Sequence, residues 1–288
     1  MKFGAHVRRG TQATNGVVKE CRRRDADCAQ IFVSNPRAWA PPSFSDEAAA
    51  AFREQWTASG LGPLAAHAPY LVNIASPNPG FLASSRSLAR ATAAACDRLG
   101  VDLFVVHAGA GGGDEPSVAR LRAARTLQEA SSAAGGVQLL VELMAGTRGA
   151  VASTIGEAAA LLDETGDDRV GLCLDVCHLF ATGYALDEAE GVDALLAELA
   201  EHALSDRVAL VHANDSEFGR GERRDRHAPI GTGHIGVDGW RDLLSRPEVA
   251  AWPFVIETPG DVGSHAEQIT LLRSLAPRQG SSSALAPS

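Results

Sequence analysis

Cysteine is scarce: five residues (Cys21, Cys28, Cys96, Cys173 and Cys177) in a chain of 288, an odd number with no CxxC pair. That excludes a disulfide framework and suits a reducing compartment. No run of about 18 apolar residues occurs, which excludes a membrane-spanning helix of the usual kind. The start MKFGAHVRRG also lacks the apolar stretch of a secretory signal. The expectation is a cytoplasmic protein with no membrane contact. Positive charge is short as well, because 26 Lys and Arg against 35 Asp and Glu leave a net −9. A surface that is basic all over is excluded, so any contact with nucleic acid must come from a local patch. No long exposed apolar helix or heptad repeat is visible, and a monomer is expected.

What the chain does have is alternation. Short apolar runs are followed by longer Ala-rich amphipathic ones, the pattern of repeated βα units around a parallel sheet. Eight strand candidates fall at 2–6, 29–34, 62–66, 103–107, 138–142, 170–175, 208–212 and 253–257, with helical runs at 45–59, 84–99, 116–133, 154–165 and 192–204. Ser45 before Asp46 and Glu47, and Ser153 before Thr154 with Glu157 on the first turn, carry helix-start chemistry. With 45% hydrophobic residues the chain can fill one large core, and barrels of this kind run to about 250 residues as one unit. The spacing predicts an α/β fold, a single (β/α)8 TIM barrel over 1–276, and a Ser-rich disordered tail over 277–288.

Six of the strand candidates end in, or run into, a side chain able to bind metal: His67, His107, Glu142, Asp175, His212 and Glu257. The close pairs Asp175/His178 and Asp225/His227 add to them. A lone His at a strand end is more often a satisfied core or loop residue, but the joint pattern has one common explanation, a metal cluster at the C-terminal face of a parallel barrel. His178 can face that cavity from the first turn of the loop after Asp175. Asp225 and His227 are two apart, so both project to one side of an extended loop. The surrounding stretch from Arg220 to His227 reads equally as a solvated charged loop, which leaves His212 unexplained. Cys173 and Cys177 beside Asp175 admit a thiolate reading, against which small buried cysteines are common packing. Such His/carboxylate sites accept zinc, manganese or iron.

The segments GAHV (4–7), NPRAW (35–39), HAPYLVNIASP (67–77), VHAG (106–109), GLCLDVCHLFATGY (171–184), HANDS, DRH, IGTGHIG (230–236) and IETPG (256–260) occur in this order along the chain. Together they resemble the endonuclease IV family, the class II apurinic/apyrimidinic endonucleases, over about residues 2–275. The resemblance implies a trinuclear zinc enzyme acting on double-stranded DNA with abasic sites or blocked 3′ ends. It places His67, His107 and Glu142 on one zinc. Glu142 would bridge to a second zinc held by Asp175, His212 and Glu257, and His178, Asp225 and His227 would hold the third. Glu142 and Glu257 are the implied catalytic carboxylates. Asn35, Arg37, Tyr70, Leu71 and Arg226 match DNA-contacting positions, with nucleotide flipping and an apolar wedge filling the gap.

By their place after strand ends, Arg8, Arg9, Arg220, Arg223 and Arg224 join Arg37 and Arg226 on the face that meets phosphates, and His6 is a further candidate phosphate contact. Arg22, Arg23 and Arg24 close the first helix and read as cations at its C-terminus. The chain departs from the family pattern at Leu143-Met144, Val176 and Glu217, and in the Arg8-Arg9 loop, so polar support around the ligands and the DNA-facing surface are expected to differ. A sugar isomerase or epimerase on the same barrel would use one or two metals and leave the third trio unexplained. A non-catalytic abasic-site binder would bind DNA without cutting it.

Overall fold

The computed structural model describes residues 1–7 and 16–277. Arg8, Arg9 and the tail from 278 onward lie outside the described residues. The strands are β1 (Lys2–His6), β2 (Cys28–Ile31), β3 (Leu64–His67), β4 (Leu103–His107), β5 (Gln138–Glu142), β6 (Gly171–Asp175), β7 (Val208–His212), the short β8 (Asp215–Ser216) and β9 (His227–Ala228), and β10 (Pro253–Ile256). The helices are α1 (Gly16–Arg23), α2 (Asp46–Ser59), α3 (Pro79–Leu99), α4 (Pro116–Ala133), α5 (Ile155–Thr165), α6 (Val176–Thr182), α7 (Ala189–Glu201), α8 (Gly236–Ser245) and α9 (Val262–Leu275). Eight parallel strands close in the order β1-β10-β7-β6-β5-β4-β3-β2, and β8 pairs with β9 as a separate antiparallel hairpin. The expected (β/α)8 barrel is the observed fold. Among the described residues no helix is long and apolar enough to cross a membrane.

Several boundaries differ for local reasons. The third helix begins at Pro79 rather than Ser84, because Asn78 caps it by accepting from Phe81 N and Pro79 occupies the first turn, where a missing N–H costs nothing. The seventh is shifted three residues back, to Ala189–Glu201. The second strand ends at Ile31, since the chain then turns into the loop that carries Asn35 and Arg37. Ser45 caps α2 as expected, whereas α5 is capped by Thr154 and not Ser153. Thr154 accepts from Glu157 N and the Glu157 carboxylate reaches back, a capping box.

Two apolar layers build the core. The larger lies between the strands and the ring of helices. The smaller fills the barrel itself and consists of Cys28, Ala65, Leu103, Val105, Leu140, Cys173, Leu210 and Val255. Gly4 completes that inner layer on β1, where no side chain fits: a Cβ there would stand 2.0 Å from the Cys28 carbonyl oxygen. Because side chains alternate across a strand, the residue two further along points the same way. The inner residues Gly4, Cys28, Ala65, Val105, Leu140, Cys173, Leu210 and Val255 are thus followed by His6, Gln30, His67, His107, Glu142, Asp175, His212 and Glu257. One polar residue from each strand therefore stands on the plug, at the C-terminal mouth.

Candidate metal centre

A cleft of about 910 Å³ opens over this polar layer, lined in part by His6, His67, His107, Glu142, Glu257 and Tyr70. At its floor Glu142 is 1% exposed and sits among four imidazoles. His67 Nε2 lies 2.9 Å from Glu142 Oε2 and His107 Nε2 3.3 Å from the same oxygen, while His212 Nδ1 is 3.1 Å from Oε1 and His178 Nδ1 3.6 Å. His212 Nδ1 also stands 3.4 Å from Glu257 Oε2 and 3.9 Å from Asp175 Oδ2. The ligand atoms of His67, His107 and Glu142 all lie within 4.8 Å of one another, as do those of Glu142, Asp175, His212 and Glu257, and those of His178, Asp225 and His227. All nine side chains singled out in the sequence as metal ligands thus fall into three adjoining sets, with Glu142 common to two.

The third set is assembled by two features the sequence reading lacks. His178 is not on a loop but on the first turn of α6, which starts directly after β6, because Asp175 caps that helix by accepting from His178 N at 2.9 Å. The β8–β9 hairpin then brings Asp225 and His227 over it. The hairpin is pinned by Asp215, whose buried carboxylate accepts from the backbone N–H groups of Ser216, Ile235, Gly231 and Gly236. This explains the middle glycine of IGTGHIG: a Cβ on Gly233 would stand 2.3 Å from the Ser216 carbonyl oxygen and 2.5 Å from Asp215 Oδ1.

The donor set fits a divalent cation. His178 donates from Nδ1 to the Leu143 carbonyl at 2.8 Å, and His67 from Nδ1 to the Ala68 carbonyl at 2.7 Å, so each presents Nε2 to the carboxylates. His178 Nε2 is 3.3 Å from Asp225 Oδ2, and His227 Nε2 is 3.2 Å from Asp225 Oδ1 and 3.6 Å from Asp175 Oδ2. Both nitrogens are buried without a hydrogen bond. Buried imidazole nitrogens that face carboxylates yet make no bond are the donor arrangement of a cation site.

Electrostatics in the protein without metal point the same way. Burial opposes charge on His178, but Asp175 and Asp225 hold its imidazolium up to about 10. Against the same opposition His67 is raised by Glu142, His227 by Asp175 and Asp225, and His212 by Cys173 first and then by Glu257 and Glu142. Burial would raise Glu142, Glu257 and Asp225, yet the neighbouring imidazoles carry all three well below the usual carboxylate range. His6 is the exception, since burial lowers it by more than Glu257 beside it restores. Without metal, burial pushes the Cys173 thiol up to about 12 and Cys177 higher still, although Cys177 Sγ lies within 4.8 Å of ligand atoms of Asp175 and His227 and is the one cysteine placed among the candidate ligands of the described residues.

Three polar residues around the centre escaped the sequence reading. Asn214 donates to Asp175 Oδ2 at 2.7 Å and accepts from Glu257 N at 2.8 Å. Gln30 contacts His6, His212 and Glu257. His265, on the cleft wall, donates from Nε2 to the Thr258 carbonyl and accepts at Nδ1 from Arg24. Arg24 stands just past the C-terminus of α1 as expected, but it is buried, and pairs with Glu20 while supporting the wall. Gln30 alone left a readable signal, a polar residue on the inward frame of an otherwise apolar strand.

On the rim, Asn35 and Arg37 are exposed and Asn35 Oδ1 accepts from Arg37 N at 3.0 Å, which shapes the turn. Tyr70 N donates to the Pro36 carbonyl at 3.0 Å, clamping this loop to the one carrying Tyr70 and Leu71. Tyr70 is 60% exposed and Leu71 37%; the Tyr70 ring meets Phe32 edge-on at 5.1 Å. Arg226 is exposed beside Asp225. Arg220 is engaged by Asp187 at 3.4 Å and Glu188 at 3.2 Å, and Arg224 lies 3.6 Å over the Phe218 ring.

Residues 18–275 match the xylose isomerase-like TIM barrel family. A relative described as probable endonuclease 4, from Methanoculleus marisnigri, is 39% identical over 245 residues, covering 83% of this chain and 87% of its own. The solved endonuclease IV of Thermus thermophilus superposes with a TM-score of 0.85 at 31% identity, over 96% of this chain and 98% of that one. D-psicose 3-epimerase from Clostridium cellulolyticum H10 shares the fold, with a TM-score of 0.63 at 13% identity over 96% of each chain. By sequence and by architecture, the chain belongs to the endonuclease IV family of xylose isomerase-like TIM barrels.

Proposed function

We propose that this protein is a metal-dependent DNA repair endonuclease, residues 1–276 acting as one domain, that hydrolyses the phosphodiester on the 5′ side of an abasic site. The products are a 3′-hydroxyl and a 5′-deoxyribose phosphate, and the same centre would clear blocked 3′ ends. The observation that carries this reading is the third ligand set, His178, Asp225 and His227, built beside the two sets that meet at Glu142. A sugar epimerase, which the 13% likeness supports in fold alone, has no use for it.

Three zinc ions held by the nine residues would supply Lewis acidity on the phosphate and a hydroxide at neutral pH. The chain's own groups do the rest. Glu142 fixes the spacing of two ligand sets by offering one oxygen to each, Oε2 toward His67 and His107 and Oε1 toward His212. Glu257 closes the centre on the side of His6. The plug beneath excludes water from the floor, which strengthens every charge interaction above it. Tyr70 and Leu71 stand as an apolar wedge for the gap left by an extruded sugar, an extrusion that costs less for a nucleotide without stacking. Arg37, Arg226 and His6 contact phosphates, so recognition is of backbone shape rather than sequence.

The test is a duplex carrying one tetrahydrofuran abasic analogue, which cannot undergo β-elimination. A single cut on its 5′ side, lost on chelation and restored by zinc, is the expected result. Binding without cutting would replace this reading with a recognition module, and epimerisation of a ketose with no DNA cleavage would replace it with the sugar enzyme.

A further inference from the structure

Of the eight polar residues that stand on the barrel plug, Gln30 is the one whose side chain cannot carry a charge. It is fully buried on β2, beside His6 in register, and its amide reaches three partners. Oε1 accepts from His212 Nε2 at 2.9 Å. Nε2 donates to Glu257 Oε1 at 2.6 Å and to His6 Nδ1 at 3.1 Å. The orientation is forced, because the reversed amide would set two oxygen acceptors 2.6 Å apart against Glu257 with no proton between them.

From this geometry we infer that Gln30 is a positioning residue for the metal centre, fixing which atom each of three neighbours presents. The inference rests on the metal-dependent reading above. With Nε2 of His212 committed as a donor, its Nδ1 lone pair is the one turned toward Glu142, Asp175 and Glu257. With Oε1 of Glu257 committed as an acceptor, Oε2 is the oxygen left beside His212 Nδ1 at 3.4 Å. With Nδ1 of His6 accepting, the ring proton of neutral His6 is on Nε2, which makes this cleft-lining residue a donor to a phosphate oxygen. Support of this kind from outside the ligand sphere is worth roughly 10–100-fold in metal affinity.

Gln30→Met keeps volume and burial while removing all three bonds. Metal-stripped parent and variant, both checked for native circular dichroism, are titrated with zinc against a chromophoric chelator. The expected result is one zinc weakened by roughly 10–100-fold with the others unchanged. Independently of the variant's folding, ¹⁵N shifts of the imidazoles in the zinc-loaded parent should place the His6 proton on Nε2. Identical zinc binding by the two proteins, or a His6 proton on Nδ1, would overturn the inference alone. A parent that takes up no zinc would overturn the metal reading and this inference together.

Discussion

Loading the centre with zinc should expel at least one proton at pH 7, from His178, whose imidazolium its neighbours hold up to about 10, with further release from His67, His212 and His227, which are raised in the same direction. The reasoning starts from charge. Without metal, the buried carboxylates of Glu142 and Asp175, with the partly buried Glu257 and the half-exposed Asp225, stand among these imidazoles, and buried carboxylates so close together are tolerable only if cations balance them. Protons on raised imidazoles, His178 above all, do so, and zinc must displace them to reach the same nitrogens. A raised folded-state pKa means that the charge stabilises the metal-free fold below the unfolded value of about 6.5. That stabilisation is lost as pH rises through the folded values, toward about 10 for His178. Zinc affinity must therefore climb with pH across this window, about tenfold per unit for each proton displaced. For His178, removing the proton at pH 7 costs about 4 kcal/mol, the roughly three units between pH 7 and its folded value. The assay is calorimetric titration of metal-stripped protein in buffers of different ionisation enthalpy, with bound zinc quantified. Ionisation of one water at the centre would add one proton more. Release of less than about one proton at full loading, or affinity flat from about pH 6 to 8, would refute the picture of a proton-neutralised centre.

Glu142→Gln keeps the shape of the shared ligand and removes its charge, so cleavage of the tetrahydrofuran duplex should fall by at least about 100-fold with the fold retained; unchanged turnover in a zinc-loaded sample would remove Glu142 from the centre. Tyr70→Ala should weaken binding to abasic duplex by about 1–3 kcal/mol while leaving intact duplex nearly unaffected, as gel-shift or anisotropy titrations would read; equal losses on both mean that Tyr70 is no wedge. In Asp215→Asn an amide NH2 must face backbone N–H groups that now meet a carboxylate oxygen. We expect a loss of about 3 kcal/mol, or about 6 °C in the thermal midpoint, together with weakened zinc at His178, Asp225 and His227. A midpoint unchanged within about 1 °C would show that Asp215 does not hold the hairpin.

The barrel was legible because each strand is a short apolar run, and six of the nine candidate ligands were legible because each stands at such a run's end. The deeper regularity is the frame: Leu140 then Glu142, Cys173 then Asp175, Leu210 then His212, Val255 then Glu257. Strand period alone carries the plug into the site. Gln30 lies on that frame after Cys28, yet one uncharged polar residue in CAQIFV resembles ordinary strand variation until the other seven positions are aligned with it. The third ligand set was legible by residue type but not by construction. α6 is too short for a periodic signal and begins where β6 stops, and β8 and β9 are two residues each, held by Asp215 rather than by any turn motif. The burial of Arg24 was not legible because local sequence shows a helix end and not the His265 ring, 241 positions away, that receives it.

The departures at Leu143, Met144 and Val176 bear on how far side-chain identity around a metal centre matters. A polar residue at 143 could have oriented a ligand through its side chain, but here His178 is oriented by the Leu143 carbonyl, a group present whatever the side chain. Leu143 itself is fully buried in the apolar layer behind the strand, and Met144 is tied through its own N–H to the Ala152 carbonyl. Val176 is buried at the start of α6, where Asp175 supplies the cap. Backbone carbonyls thus orient His178 and His67 from behind, and apolar side chains at these positions lower the dielectric around the candidate centre without removing that support. Gln30 is the contrast: its contacts with the centre are all made by the side chain, from a strand that contributes no ligand of its own. Zinc affinity should therefore be sensitive at Gln30 and tolerant at Leu143, the reverse of what distance along the chain from Glu142 would suggest.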